Sequence, residues 1–472
     1  MTAGSAAAGS AAAGSGVGPG PAHAEALVAS RRLGMPPRSG LLRRLSKRPW
    51  AMHYYRLVAT VLVVNALALI YGTRSWWFGN DFSALLTTSQ AVLANFTLAI
   101  LIRQQRMVNL LFWLATRAPT RWPLRIRWGL GKVYHFGGLH VGAALAGTAW
   151  YILHVWWLTR SFQAGHGLVS TPTLAVSYAL GVILLAMVWT ARPRARAKRH
   201  DRFELVHRFG GWTALALFWA SMLLTMADLR PVLSAAGPGL YMIVAGQLLV
   251  LALLTYNVAS PWFRLRRVRV VIERPSTHVA VARFDYGVTP FPGSSMAISR
   301  HPLGQWHAFA NVPTPTRTGY RLTISRAGDW TGAFVDDPPS RVWVKGIPTA
   351  GVANIEKLFR KVVYLATGSG VGPCLPHLLA QEVPSHLIWV ARSPRETYGD
   401  ELVDEILAVQ PDALIWDTTT QGKPDMVRLA YQGYAASGAE AVICISNKKL
   451  TWEVVTGLEQ HGIPAFGAIW DS

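Results

Sequence analysis

This chain has little acid. Its 472 residues carry 24 Asp and Glu against 46 Lys and Arg, a formal charge of +22. Such a surplus raises nucleic acid as a partner. The Arg and Lys lie in blocks between long apolar runs, not along a folded basic face, so no nucleic acid is expected. Cysteine is almost missing. Cys374 and Cys444 have neither metal-ligand spacing nor a disulfide framework. The N-terminus lacks the basic start and apolar centre of a signal peptide. No acid–base pair or nucleophilic triad stands out. Polar residues are scarce inside the apolar runs: Asn65, Asn95, Gln247 and a few histidines. That leaves little to line a transport path.

What is present is apolar. Half the residues are hydrophobic and the mean hydropathy is +0.25, too high for an ordinary soluble enzyme. The length allows two or three domains. Residues 1–50 read as a disordered, basic tail, because its Ala/Gly/Ser repeats cannot bury enough surface to order themselves. Six apolar runs follow, near 56–72, 82–102, 133–159, 173–190, 205–227 and 240–260. Several approach the ~20 residues that cross a hydrocarbon core. The connections 103–132 and 191–204 are rich in Arg and Lys, whereas 73–81, 160–172 and 228–239 hold one basic residue each. The positive-inside rule then places both termini in the cytoplasm, with the chain integral to an inner or plasma membrane. Arg117, Arg121, Arg125 and Arg127, interleaved with Trp113, Trp122 and Trp128, read as a segment lying on the inner headgroups.

From Arg264 the texture changes. Short alternating stretches punctuated by Gly and Pro (267–272, 277–284, 295–299, 306–310, 320–325, 341–345) predict a small antiparallel β-barrel. Beyond 358, strands near 361–366, 385–391, 413–417, 440–446 and 464–469 alternate with helical segments, which predicts a parallel, doubly wound α/β sheet. The domain boundaries are therefore 1–50, 51–262, 263–350 and 351–472.

Lys361 to Thr367 runs as a strand into Gly368-x-Gly370-x-Gly372-Pro373, and a helix-like segment follows. Strand, Gly-rich loop and helix start are the order a pyrophosphate site needs, since glycines admit the phosphates and the helix offers free N–H groups. Arg392, Ser393 and Arg395 follow the second strand. A guanidinium there pairs with a 2′-phosphate, favouring NADPH over NADH.

A membrane bundle, a barrel and a nucleotide domain in that order resemble the ferric reductase and NADPH oxidase superfamily of transmembrane flavoproteins, most of all those of TmpA type. The likeness covers residues 53–472. Gln305-Trp306-His307-Ala308-Phe309-Ala310 resembles the family's flavin motif, with Ala308 and Ala310 where Pro and a hydroxyl residue usually stand. Val344-Lys345-Gly346-Ile347-Pro348 is similar to the segment whose backbone N–H groups meet the FAD pyrophosphate. Gly368 to Pro373 is similar to the loop that sets the nicotinamide against the flavin, and Cys444-Ile445-Ser446-Asn447 departs from the usual Cys-Gly-Pro. The resemblance implies a ferredoxin-reductase-like fold behind six transmembrane helices. It implies FAD held by Trp306, His307, Phe309, Lys345 and Gly346. NADPH or NADH would be held by Thr367, Gly368, Gly370, Gly372, Pro373, Arg392, Ser393 and Arg395.

Haem in that superfamily takes paired histidines from the third and fifth spans. His140 and His154 share one helix face about 21 Å apart. His207 stands on the fifth span, and Ala220 and Ser221 occupy the place of a second histidine. One haem b would then join His207 to His140 or His135. The expected activity is transfer of electrons from cytoplasmic NAD(P)H through FAD to an acceptor in or across the bilayer. The alternative is a flavin- and nucleotide-binding sensor without sustained turnover.

Overall fold

The computed structural model describes residues 34–38, 40, 51–236, 238–314 and 318–468. The expected disordered tail lies largely outside them. Within it, Met35 packs on the C-terminal core and the Pro36 carbonyl meets His461 Nδ1.

Helix α1 (His53–Thr73) is followed by α2 (Asp81–Leu101), which Asn80 caps by accepting from Ser83 N at 2.8 Å. Two short helices, α3 (Gln105–Thr116) and α4 (Leu124–Leu130), lead into α5 (Gly137–Gln163). Then come α6 (Thr171–Ala191), α7 (His200–Asp228) and α8 (Pro238–Ala259). Six of these helices, α1, α2, α5, α6, α7 and α8, are long and apolar enough to cross a membrane, judged by length and composition.

Helix α5 is the centre of the bundle. Gly138 and Gly142, one turn apart, let α1 approach closely: a Cβ at Gly142 would stand 2.9 Å from Val61 Cβ. Trp150, Tyr151 and Leu158 are buried on other faces of α5. The scarce polar residues pair with one another, Asn65 and Asn95 exchanging amide bonds at 2.7 and 3.1 Å while Trp150 Nε1 donates to Asn65 Oδ1 at 2.9 Å. Outside, Val63, Val64, Leu67, Val182 and Leu249 are exposed. Apolar surface on that scale marks a face made for apolar surroundings.

Two four-stranded antiparallel sheets follow. One has the order β1 (Arg266–Arg269), β8 (Arg341–Ala350), β4 (Ser294–Ser299), β5 (His307–Ala310). The other runs β2 (Val271–Glu273), β3 (Val279–Phe284), β7 (Tyr320–Ser325), β6 (Val312–Pro313). The expected closed barrel is corrected. Residues 267–272 do not form one strand but step at Val270 from the first sheet to the second, so two sheets face each other across a core of Ile298, Leu322, Ile324 and Val344. Helix α9 (Asp329–Asp336) closes one end of that core with Phe334.

The last unit is a five-stranded parallel sheet ordered β11 (Leu414–Asp417), β10 (Ser385–Ala391), β9 (Val362–Thr367), β12 (Ala441–Ile445), β13 (Ala465–Phe466). Residues Val362 to Ala366 of β9 are wholly buried, which is why they read as an unbroken apolar run without alternation. Helices α10 (Val371–Ala380), α11 (Asp400–Val409), α12 (Met426–Ser437) and α13 (Lys448–Gln460) cover the faces.

Candidate functional site

Strand β9 lies between β10 and β12. The strand order reverses there, and in an open parallel sheet the crevice beyond the strand ends at that point is where ligands bind. The Gly-rich turn fills this position. Thr367 ends β9, Gly368 turns at φ +51°, and α10 starts at Val371. Trp389 Nε1 pins the turn by donating to Gly368 O at 2.9 Å. The Thr367 and Ser446 hydroxyls bond to each other across the crevice. A Cβ at Gly370 would run into the Ile445 carbonyl oxygen, so β12 and the turn approach as only glycine permits. Gly372 and Pro373 open α10, and a Cβ on Gly372 would sit 3.7 Å from Thr323 of β7. The turn thus faces the two-sheet unit. Cys374 is a buried core residue, its thiol pushed well up by burial.

Beyond β10 the three expected residues separate. Arg392 is exposed. Ser393 takes φ +39°, held by Asp417 Oδ1 on its N–H at 3.0 Å and Thr419 Oγ1 on its hydroxyl at 3.0 Å. Arg395 is paired with Asp400 and Asp404, both at 2.8 Å. Of the two guanidiniums, only that of Arg395 is held in ion pairs among the described residues.

The residues expected around the flavin fall into two groups. Lys345 Nζ lies 4.0 Å over the Trp306 ring and 4.1 Å over Trp262, which follows α8. Burial pushes the Lys345 amine down to about 8, with Arg208 adding to the shift and Glu204 opposing it. The two indole faces favour the ammonium. Trp262 also meets Trp212 of α7 edge-on at 5.2 Å, so an aromatic file joins the first sheet to the bundle. His307 and Phe309 instead share Trp330 of α9, the His307 ring stacking on it at 4.3 Å. Burial lowers the His307 pKa, and its Nε2 is enclosed without a hydrogen-bond partner. Trp330 belongs to Gly328-Asp329-Trp330-Thr331, which by its resemblance reads as the turn before a flavin phosphate site; its stacking on His307 was not expected.

Gly346 requires a correction. The N–H groups read as pyrophosphate donors are already bonded within the chain: Gly346 N to Pro261 O and Ile347 N to Gln105 Oε1, both at 3.0 Å. Gln105 Nε2 returns a bond to Ile347 O at 3.0 Å, and Asn109 makes the same double contact with Pro348 O and Ala350 N, at 2.9 and 2.8 Å. Helix α3 thus docks on β8 like an extra strand. Its buried face, Val108 and Phe112, joins the core shared with the α/β unit.

The segment read as lying on headgroups is corrected in part. Trp113, Trp122 and Ile126 are exposed, but Arg127 is buried and forked onto Glu440 at 2.6 and 3.1 Å. Lys132 is buried against Glu459 at 2.6 Å, and Trp128 Nε1 donates to the same carboxylate at 3.1 Å. A second buried constellation joins the α/β unit to the two-sheet unit. Glu356 accepts from Tyr364 Oη and bonds His377 Nδ1, both at 2.6 Å, with Gly293 beside the His377 ring. Glu356 and His377 are 21 residues apart, and nothing in the sequence pairs them.

In the bundle, His140 and His207 come together, with ring centroids 6.2 Å apart and planes at 71°. His140 Nδ1 donates to Ala99 O at 2.8 Å, because a carbonyl only accepts, and this leaves Nε2 with its lone pair. His135 is the alternative the structure sets aside: it is buried beside Tyr134 and His53 and does not line the cavity that His140 and His207 share. That cavity, of about 420 Å³, continues along α5 to His154.

Three comparisons bear on this architecture. Residues 352–472 match the family described as adenylate-forming reductase 03009, C-terminal domain. Adenylate-forming reductase 03009 of Coprinopsis cinerea is 42% identical over 433 residues, 92% of this chain and 41% of the relative. Adenylate-forming reductase 06235 of the same organism is 41% identical over 419 residues, 89% of this chain and 40% of the relative. The chain therefore spans about two-fifths of the length of the curated relatives it matches. Among solved structures, a Malassezia yamatoensis flavohemoglobin with bound FAD and heme aligns over 82% of this chain and 99% of its own, at 16% identity and a TM-score of 0.37. A Neisseria gonorrhoeae ferredoxin NADP+ reductase with bound FAD and NADP aligns over 43% and 98%, at 14% identity and a TM-score of 0.35.

Proposed function

We infer that this chain is a membrane-anchored flavoprotein oxidoreductase that takes electrons from NAD(P)H on the cytoplasmic side. The observation that carries this reading is the Gly368–Gly372 turn at the reversal of the parallel strand order, facing β7. The relatives' name supports reductase chemistry, and the chain would be the electron-delivering part of such longer proteins.

The dinucleotide's pyrophosphate would lie on the turn, where the glycines admit a close approach of phosphates, and Arg392 would meet a 2′-phosphate. A flavin fits the facing side, where the enclosed, unpartnered His307 Nε2 offers a hydrogen bond and Lys345 offers a cation. Bound there, FAD would supply hydride acceptance and single-electron release. The protein's part is alignment and exclusion of water, the latter helped by Trp330 and Trp306.

Haem also fits, once. His140 and His207, whose ring centroids lie 6.2 Å apart in the lining of one cavity, are the residues that would hold it. His140 has the bare Nε2 and the carbonyl-bonded Nδ1 that orient such a ligand. His154 has no histidine opposite it, so a second haem of this kind does not fit.

The deciding experiment is the absorption spectrum of the purified full chain, oxidised and reduced. A flavin band is expected, with a Soret band that His207→Ala removes. NADPH oxidation with ferricyanide should be faster than NADH oxidation, and Gly370→Ala should weaken NADPH at least about tenfold by overpacking the turn. Absence of flavin from the purified protein would end this reading.

A further inference from the structure

The cavity does not stop at the His140–His207 pair. Its lining runs on along α5 as a mostly apolar chamber walled by Leu85, Leu158, Met222 and Val244, with Ser89, His154, Ser221, Thr225 and Gln247 as polar groups. Ser221 stands fourteen residues after His207 on α7, where a second haem would need an imidazole.

The protonation of His154 follows from its neighbour. Thr88 Oγ1 gives its single hydrogen to backbone, Ala84 O at 2.7 Å with Leu85 O at 3.2 Å. It must therefore accept from His154 Nδ1, which lies 2.8 Å away. The imidazole is fixed as the Nδ1–H tautomer, with a bare lone pair on Nε2. A neutral, acceptor-only nitrogen in an apolar chamber suits a ligand that brings its own hydroxyl hydrogen and is otherwise apolar. It does not suit a hydrated ion, which would lose its water in a chamber so poor in polar groups.

We propose that this chamber binds the electron acceptor, a membrane-soluble quinone, and that His154 Nε2 holds the hydroquinone by accepting a bond from its hydroxyl. The proposal rests on the reductase reading. The step balances as NAD(P)H + H⁺ + quinone → NAD(P)⁺ + hydroquinone. The nicotinamide gives up two electrons and one hydrogen, both quinone carbonyls become C–O–H, and the second hydrogen comes from solvent. A lone pair that accepts from a hydroxyl but cannot donate to a carbonyl binds product better than oxidised substrate, which favours reduction. Helices α7 and α8 flank the chamber and are tied by Trp219 Nε1 on Thr255 Oγ1 at 2.9 Å, so the site opens among the bundle's own apolar walls.

The test is equilibrium binding of a decyl-substituted benzohydroquinone to the full chain in detergent, without NAD(P)H. His154→Phe should weaken it about tenfold, the loss of one buried hydrogen bond. Met222→Trp, which fills the chamber and leaves His154 in place, should weaken it at least as much. With NADPH added, the ratio of quinone to ferricyanide turnover should fall in both variants. Binding undiminished in both variants would overturn the site, and so would loss of a Soret band in His154→Phe, which would give the histidine to haem. Failure of the unaltered chain to pass electrons from NADPH to ferricyanide would instead sink the reductase reading and leave the binding result standing.

Discussion

The α/β unit and the two-sheet unit are held to the same basic stretch, residues 103–136, by different chemistry. The α/β unit is docked by charge, Arg127 on Glu440 and Lys132 on Glu459, with both cations buried. The two-sheet unit is docked by neutral amides, Gln105 and Asn109 on the backbone of β8. Buried ion pairs contribute little net stability but penalise any arrangement that separates them. Amide-to-backbone bonds extend a sheet edge and tolerate small shifts along it. Part of the Arg and Lys surplus in this stretch fixes where the α/β unit stands relative to the bundle.

The seam of charges should break hardest. Glu459→Gln leaves Lys132 buried without its counter-charge and should cost on the order of 3–5 kcal/mol, read as a lowered unfolding temperature of the C-terminal unit. Pairing it with Lys132→Met should recover most of that loss. If the single and double variants are equally unstable, the pair is not what holds the unit in place.

The neutral seam should break less. Gln105→Ala strands the Ile347 N–H, while the Ile347 carbonyl keeps the Thr349 hydroxyl at 3.1 Å, and should cost about 1–3 kcal/mol, seen as faster hydrogen exchange across 341–350. Exchange unchanged there would mean that water replaces the amide freely and that α3 is held by Val108 and Phe112 alone.

Acid should separate the two seams. Burial raises the Glu440 pKa, but the Arg127 guanidinium and the Arg360 N–H outweigh it and hold the carboxyl below its ordinary value. A folded value below the unfolded one contributes stability above about pH 4.3 that is lost as pH falls through the lower folded value. The α/β seam should therefore loosen in that acid window while the β8 seam does not. Equal loosening of both, by hydrogen exchange corrected for intrinsic rates, would contradict the division.

The positions of the long helices were legible because apolar length is a local property; expected and observed spans differ by a few residues at their ends. The parallel strands were legible for the same reason, β9 above all. The closed barrel was not, because whether 267–272 is one strand or two depends on which sheet each half joins, and Val270 carries no local sign of the step. Gly346 illustrates the other kind of miss. Its segment resembles a pyrophosphate loop, but the group that fills the space is Gln105, 241 positions earlier in the chain. Long-range polar partners such as Glu356–His377 and Lys132–Glu459 leave no periodic trace. The Gly-rich turn did, because strand, turn and helix are consecutive.

The smallest effect belongs to Lys345, where the two-sheet unit meets Trp262. Its folded pKa of about 8 lies below the ordinary value of about 10.4. Between these limits the unfolded chain keeps a proton that the folded chain has released, so stability rises with pH across that window. Below it both states are protonated and the cost of burying the ammonium is constant. Cation–π contact with Trp262 and Trp306 opposes the shift and partial exposure screens it, so the gain should stay under about 1 kcal/mol. Lys345→Met removes the titrating group. The difference in unfolding temperature between parent and variant should therefore grow in the parent's favour from about pH 8 to about pH 10. A flat difference would show that the two indoles hold the ammonium as firmly as water does, making this junction a cation clamp with no pH dependence of its own.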